Sequence, residues 1–106
     1  MRKSKCVLVL ALCLAMLLVL TGCTTSMTYR KAYNLYTTGD YQEAVEIFER
    51  LGDYGESKLM ISSCYYELGR EAMLEQQWQT AIDYFSKSDY EGAAEKIKEC
   101  QGKLGQ

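Results

Sequence analysis

The sequence predicts an all-α fold, a short stack of helical hairpins behind a removable apolar leader. Three observations predict it. Apolar residues recur at i, i+3, i+4 and i+7, as Tyr41, Ala44, Val45 and Phe48 and again as Trp78, Ala81, Ile82 and Phe85. The 106-residue chain has no proline, so nothing forces a helix to stop or kink. The pattern Asp40-Tyr41-x-x-Ala44-x-x-x-Phe48 returns as Gln77-Trp78-x-x-Ala81-x-x-x-Phe85, 37 residues later, while Asp53-Tyr54 returns as Asp89-Tyr90 and Cys64 as Cys100, 36 residues later. A period of this length marks stacked supersecondary units.

The first element is the leader. Arg2, Lys3 and Lys5 form a basic start, and Cys6 to Leu20 then runs 15 residues with no charged or hydroxylated side chain. Small Thr21 and Gly22 follow. That is the layout of a secretory signal peptide. The alternative is an uncleaved anchor, but 15 residues span about 22 Å as a helix, against a bilayer core of about 30 Å. Leu20-Thr21-Gly22-Cys23 resembles the lipobox of bacterial lipoproteins. The resemblance implies cleavage just before Cys23 and a diacylglyceryl group on its sulfur. Two acyl chains are what durable anchoring needs. The expected organisation is a signal peptide at 1–22, a short polar tether at 23–27 containing Thr24-Thr25-Ser26, and a helical domain at 28–106. The expected location is extracytoplasmic, lipid-anchored to a bacterial cell membrane.

The part beyond the leader has 84 residues, near the lower limit for a self-sufficient core. It keeps all 14 acidic residues but loses three of the 12 basic ones, leaving a formal charge of −5. Such a domain gains nothing from phosphate contacts, which argues against nucleic acid as a partner. No basic stripe is evident in the sequence, so the lipid is expected to do the anchoring. Of the five cysteines, the lipobox resemblance implies that Cys6 and Cys13 leave with the leader and that Cys23 is lipidated, leaving Cys64 and Cys100. An exported pair can form a disulfide. Equivalent positions on successive units, 8–10 Å apart by helix packing, exceed disulfide reach, so two buried thiols are the preferred reading. Without histidine or a close Cys-x-x-Cys pair, no metal or other cofactor is expected.

The helices follow in order, near 27–38, 41–51, 54–76, 78–87 and 90–103. Asp40, Asp53 and Asp89 each precede an aromatic and an apolar-periodic stretch, as N-caps do. Asp40 with Glu43, and Asp53 with Glu56, have capping-box spacing. Gly39 and Gly52 stand where a helix end favours positive φ.

These units resemble the tetratricopeptide repeat (TPR), a helix-turn-helix of about 34 residues. The second unit carries Tyr65-x-x-Leu68-Gly69-x-x-Ala72…Ala81-x-x-x-Phe85, and the first has Lys31-Ala32 where Leu-Gly is usual. Both lack the terminal proline of that family, and the interval is longer by two or three residues. The expected fold is a TPR-like solenoid of about two repeats, closed by a C-terminal capping helix over 89–106. Ala32 and Gly69 belong where the helices of a unit cross closely, Ala44 and Ala81 serve the facing helix, and Phe48 and Phe85 fill the space between units.

Candidate binding residues come from two stripes, Tyr29, Tyr33 and Tyr36 on the first helix and Tyr66, Arg70 and Met73 on the third. The TPR resemblance puts both on the concave surface, where they would form an aromatic groove for a peptide or helix, with Arg70 pairing a carboxylate. The competing reading is half-buried packing with wet hydroxyls. Glu67, Glu71 and Glu75 form an i, i+4 ladder read as a solvated face. With no histidine, no phosphate loop and no nucleophile beside a base, catalysis is not expected. The functional reading is an adaptor that holds a protein or peptide partner at the membrane surface. Binding of cell-wall glycan or a small ligand, and self-association into a homo-oligomer through uncovered apolar ends, are the alternatives.

Overall fold

The computed structural model describes residues 2–106, except for the side chains at positions 2, 3 and 19–22, so Leu20, Thr21 and Gly22 of the lipobox-like stretch lie outside the described side chains. Every described residue in regular structure is helical. The elements are α1 (Arg2–Thr37), α2 (Tyr41–Leu51), α3 (Ser57–Leu74), α4 (Trp78–Ser86) and α5 (Ala93–Leu104). The stretch Ser4–Thr37 is long and apolar enough to cross a membrane by length and composition, and none of its most apolar window is buried against the rest of the chain.

The expected tether at 23–27 is helical, and α1 passes through it without a break. Nothing between Cys23 and Thr38 is glycine or proline, so no residue there opposes the helix entering from the apolar run. The Thr28 hydroxyl donates to the Thr24 carbonyl one turn back, at 2.9 Å. Cys23 to Thr37 therefore forms a stem about 22 Å long rather than a loose linker.

Helix ends repeat as the sequence does. At the end of α1, the Asp40 N–H donates to the Leu35 carbonyl at 2.8 Å and the Gly39 N–H to Tyr36 at 3.1 Å, with Gly39 at φ +88°. At the end of α3, the Gln77 N–H donates to Ala72 and the Gln76 N–H to Met73, each at 2.9 Å. This closed end requires a left-handed residue. In the second unit that residue is Gln76, at φ +61°, where a side chain is strained.

Two of the three expected N-caps move. Asp40 does precede α2, but its carboxylate makes no capping bond and instead accepts from the Thr38 hydroxyl at 2.9 Å. α3 begins at Ser57 and α5 at Ala93, three residues later than expected. Gly55 (φ +55°) and Gly92 (φ +97°) lie in the intervening turns, and a left-handed residue cannot continue a right-handed helix. Asp53 instead pairs with Lys58 at 2.8 Å, a fully exposed contact that lowers the Asp53 pKa and raises that of Lys58 by hydrogen bonding first and charge second. The Asp89 N–H donates to the Ser62 hydroxyl at 2.6 Å.

Two apolar clusters hold the helices together. The first joins Ala32 of α1, Ala44, Val45, Ile47 and Phe48 of α2, and Met60, Cys64 and Leu68 of α3. The second joins Ala72 of α3, Ala81 and Phe85 of α4, and Ala93 and Cys100 of α5. Cys64 and Cys100 thus sit in separate clusters as free, buried thiols. Burial pushes the Cys64 thiol up to about 12 and raises that of Cys100.

The repeat is visible in three rings. Tyr29 stands edge-on to Phe48 at 5.6 Å and to Tyr54 at 5.7 Å. In the second unit Tyr66 meets Phe85 at 5.5 Å and Tyr90 at 4.8 Å. The three residues correspond at offsets of 37, 37 and 36. Gly69 marks a close crossing of α3 and α4, because a Cβ there would lie 2.7 Å from Phe85 Cε1 and 2.8 Å from its Cδ1 and Cζ.

Candidate functional site: a tyrosine and carboxylate face

Of the six proposed contact residues, Tyr29 and Tyr66 are taken up by the two ring triads and are half-buried. Met73 is partly buried against the second cluster. Tyr33 is 48% exposed, and Arg70 is exposed. Tyr36 lies between these extremes, half-buried and edge-on to Tyr41 at 5.3 Å. The two stripes therefore do not present one continuous groove, and the packing alternative holds for Tyr29 and Tyr66. The signal that separates them was present in the sequence. Both belong to a set that repeats together with Phe48/Phe85 and Tyr54/Tyr90, which an interior triad must do and a surface stripe need not.

A polar face remains where the C-terminal end of α1, the start of α2 and the middle of α3 converge. Tyr36 and Tyr41 share it with Ser63 and Glu67 of α3. Burial, followed by the nearby Glu67 charge, raises the Tyr36 hydroxyl pKa, while its hydrogen bond to Ser63 acts the other way. Tyr41 is raised by burial, then by Glu67 and Glu71, against the opposing pull of Arg70. Both phenols thus give up their protons less readily than a free tyrosine.

Arg70 already has a carboxylate. Its Nη1 lies 3.3 Å from Oε1 and 3.2 Å from Oε2 of Glu67, one turn back on α3. The pair is partly exposed, at 55% for Arg70 and 25% for Glu67, so it adds only a few tenths of a kcal/mol. A carboxylate from a partner would have to displace Glu67. Beside this pair, Asp40, Tyr41, Glu43, Leu68 and Glu71 line an open recess of about 240 Å³. Three of the lining side chains, Asp40, Glu43 and Glu71, are acidic, which suits a basic side chain.

One constellation had no signal in the spacing. The Tyr65 hydroxyl donates to Glu49 of α2 at 2.5 Å, its ring stacks with Tyr84 of α4 at 6.3 Å, and Lys87 Nζ stands 5.2 Å over the same ring. The hydrogen bond to Glu49 is the main cause that pushes the Tyr65 hydroxyl up to about 12, with burial second. These groups tie three helices together. Among the described residues, no group of three His, Cys, Asp or Glu converges as metal ligands would.

No family model, curated protein or solved structure matches the chain.

Proposed function

We propose that the chain is a bacterial lipoprotein whose TPR-like helical body acts as an adaptor, holding a protein partner at the outer face of the membrane. The observation that supports it most is the combination of Leu20-Thr21-Gly22-Cys23 with a ring triad that recurs once per hairpin. The first attaches the domain to lipid. The second is the internal joint of a stacked-hairpin scaffold, whose outward faces are free for contact. The contact face is the surface carrying Tyr33, Tyr36, Tyr41 and the Arg70–Glu67 pair, with the acidic recess at its edge. The partner segment it fits is basic, because Asp40, Glu43 and Glu71 line the recess and the exported domain carries a net negative charge.

The test is affinity capture from the organism's own solubilised membranes, using the mature protein beside two variants, Glu43→Lys/Glu71→Lys and Tyr33→Ala/Arg70→Ala. A protein recovered by wild type and lost with both variants, at unchanged helicity, is the expected result. Equal recovery by all three would remove this face from the function. Intact-mass measurement of the amino-terminal peptide checks the lipid separately.

A further inference from the structure

Cys23 shares a helix face with the open surface of α1. Ala32 is fully buried against α2, which fixes the inward direction of that helix. At 3.6 residues per turn, Cys23, Met27, Arg30 and Asn34 (i, i+4, i+7 and i+11) lie within about 40° of the opposite direction. All four are exposed, Met27 at 70%. Lys31 and Thr38 flank the same stripe, and with Leu35 they border an open depression of about 420 Å³.

The charges on this stripe are one-sided. From Cys23 to Gly39 the chain has Arg30 and Lys31 and no acidic residue, whereas 40–106 carries seven basic and 14 acidic residues. Among the described residues neither Arg30 nor Lys31 forms an ion pair. Arg30 stands about 10 Å along the axis from Cys23, comparable to the Debye length of about 8 Å at physiological salt. The sequence alone showed no basic stripe, because two adjacent cations do not make one until the helix aligns them with the anchor.

The geometry points to an interfacial role for this stripe: α1 lies along the bilayer surface, with Met27 dipping between headgroups and Arg30 and Lys31 on the phosphates of anionic lipid. This rests on lipidation of Cys23, since the lipid holds the stripe at the surface and charge complementarity then sets its roll. The acidic remainder is repelled by the same surface and stands away from it. The polar face of Tyr36, Tyr41 and Arg70 is thereby turned out of the membrane plane.

The test uses the full mature lipoprotein in vesicles of phosphatidylcholine with and without phosphatidylglycerol, carrying an environment-sensitive fluorophore on Met27→Cys. Cys64 and Cys100 are buried and stay unlabelled. With phosphatidylglycerol, the label at 27 should shift to the blue and be quenched by lipid-borne quenchers, while a label on Lys98→Cys of α5 stays water-like. Arg30→Gln/Lys31→Gln should lower the ratio of inserted to water-exposed label about 25-fold, roughly fivefold per cation, with helicity unchanged. A label at 27 that is water-like on both vesicles, or equally inserted without phosphatidylglycerol, overturns the proposal if the protein carries the diacylglyceryl mass. Recovery of a chain without that mass overturns the lipoprotein reading too, so the two failures are distinct.

Discussion

Gly69→Ala tests the hairpin crossing directly. A methyl group at Gly69 would meet three ring carbons of Phe85 at 2.7–2.8 Å, distances at which something must move. The ring has little freedom to move, because Phe85 is 1% exposed and Tyr66 stands edge-on to it at 5.5 Å. Overpacking of this kind costs about 1–3 kcal/mol, and three simultaneous clashes on a confined ring belong near the top of that range. Replacing a mid-helix glycine by alanine returns about 1 kcal/mol of helix propensity. The expected net loss is about 1–2 kcal/mol. For a domain of this size that lowers Tm by roughly 5–15 °C, readable by circular dichroism of the domain beginning after Cys23. Coupling supplies the second readout. Phe85→Leu should cost less in the Gly69→Ala background than alone, because the smaller side chain makes room for the methyl. A Tm at or above wild type, or strictly additive effects, would refute the close crossing.

Gln76→Gly should stabilise the domain by about 1 kcal/mol, since Gln76 holds a left-handed conformation that costs a side chain roughly 1–2 kcal/mol; an unchanged or lower denaturant midpoint would contradict this. Cys64 and Cys100 should resist thiol reagents in the folded domain beginning after Cys23 and react with two equivalents once it unfolds, because burial suppresses the thiolate; reaction under native conditions would show the thiols accessible. Tyr65 supplies a pH signature. Its hydroxyl pKa is raised from the ordinary value of 10.0 to about 12, so folding favours the protonated form. That stabilisation is whole below about pH 10 and is lost as pH rises toward 12. Tyr65→Phe should therefore lose stability less steeply across this window, and identical slopes for both proteins would exclude the effect.

How far the sequence carried depends on which residues carried the signal. α2 appears where its periodicity puts it, at Tyr41–Leu51, and α4 ends at Ser86 rather than 87. Their apolar faces are regular, and burial of Ala44, Phe48, Ala81 and Phe85 is decided by that regularity. The starts of α3 and α5 were less legible, because an aspartate before an aromatic residue serves a turn as well as a cap. Gly55 and Gly92 decided the matter through positive φ. The continuity of α1 through 23–27 was hidden by composition, since Thr24-Thr25-Ser26 looks like a linker while nothing in it breaks a helix. For the candidate face, helical spacing could place tyrosines on stripes but not say which rings meet another ring. The i, i+3 spacing of Glu67 and Arg70 was legible in the sequence, but Tyr65–Glu49 depends on two helices brought together, which no local pattern records.

α3 belongs to both apolar clusters, giving Met60, Cys64 and Leu68 to one and Ala72 to the other. Neither half of the scaffold can come apart without stripping a side from this common helix. In long arrays each module leans mainly on its neighbours, and here both halves lean on one shared helix. Loss of α3 would therefore open both apolar clusters in one step, baring Phe48 on one side and Phe85 on the other.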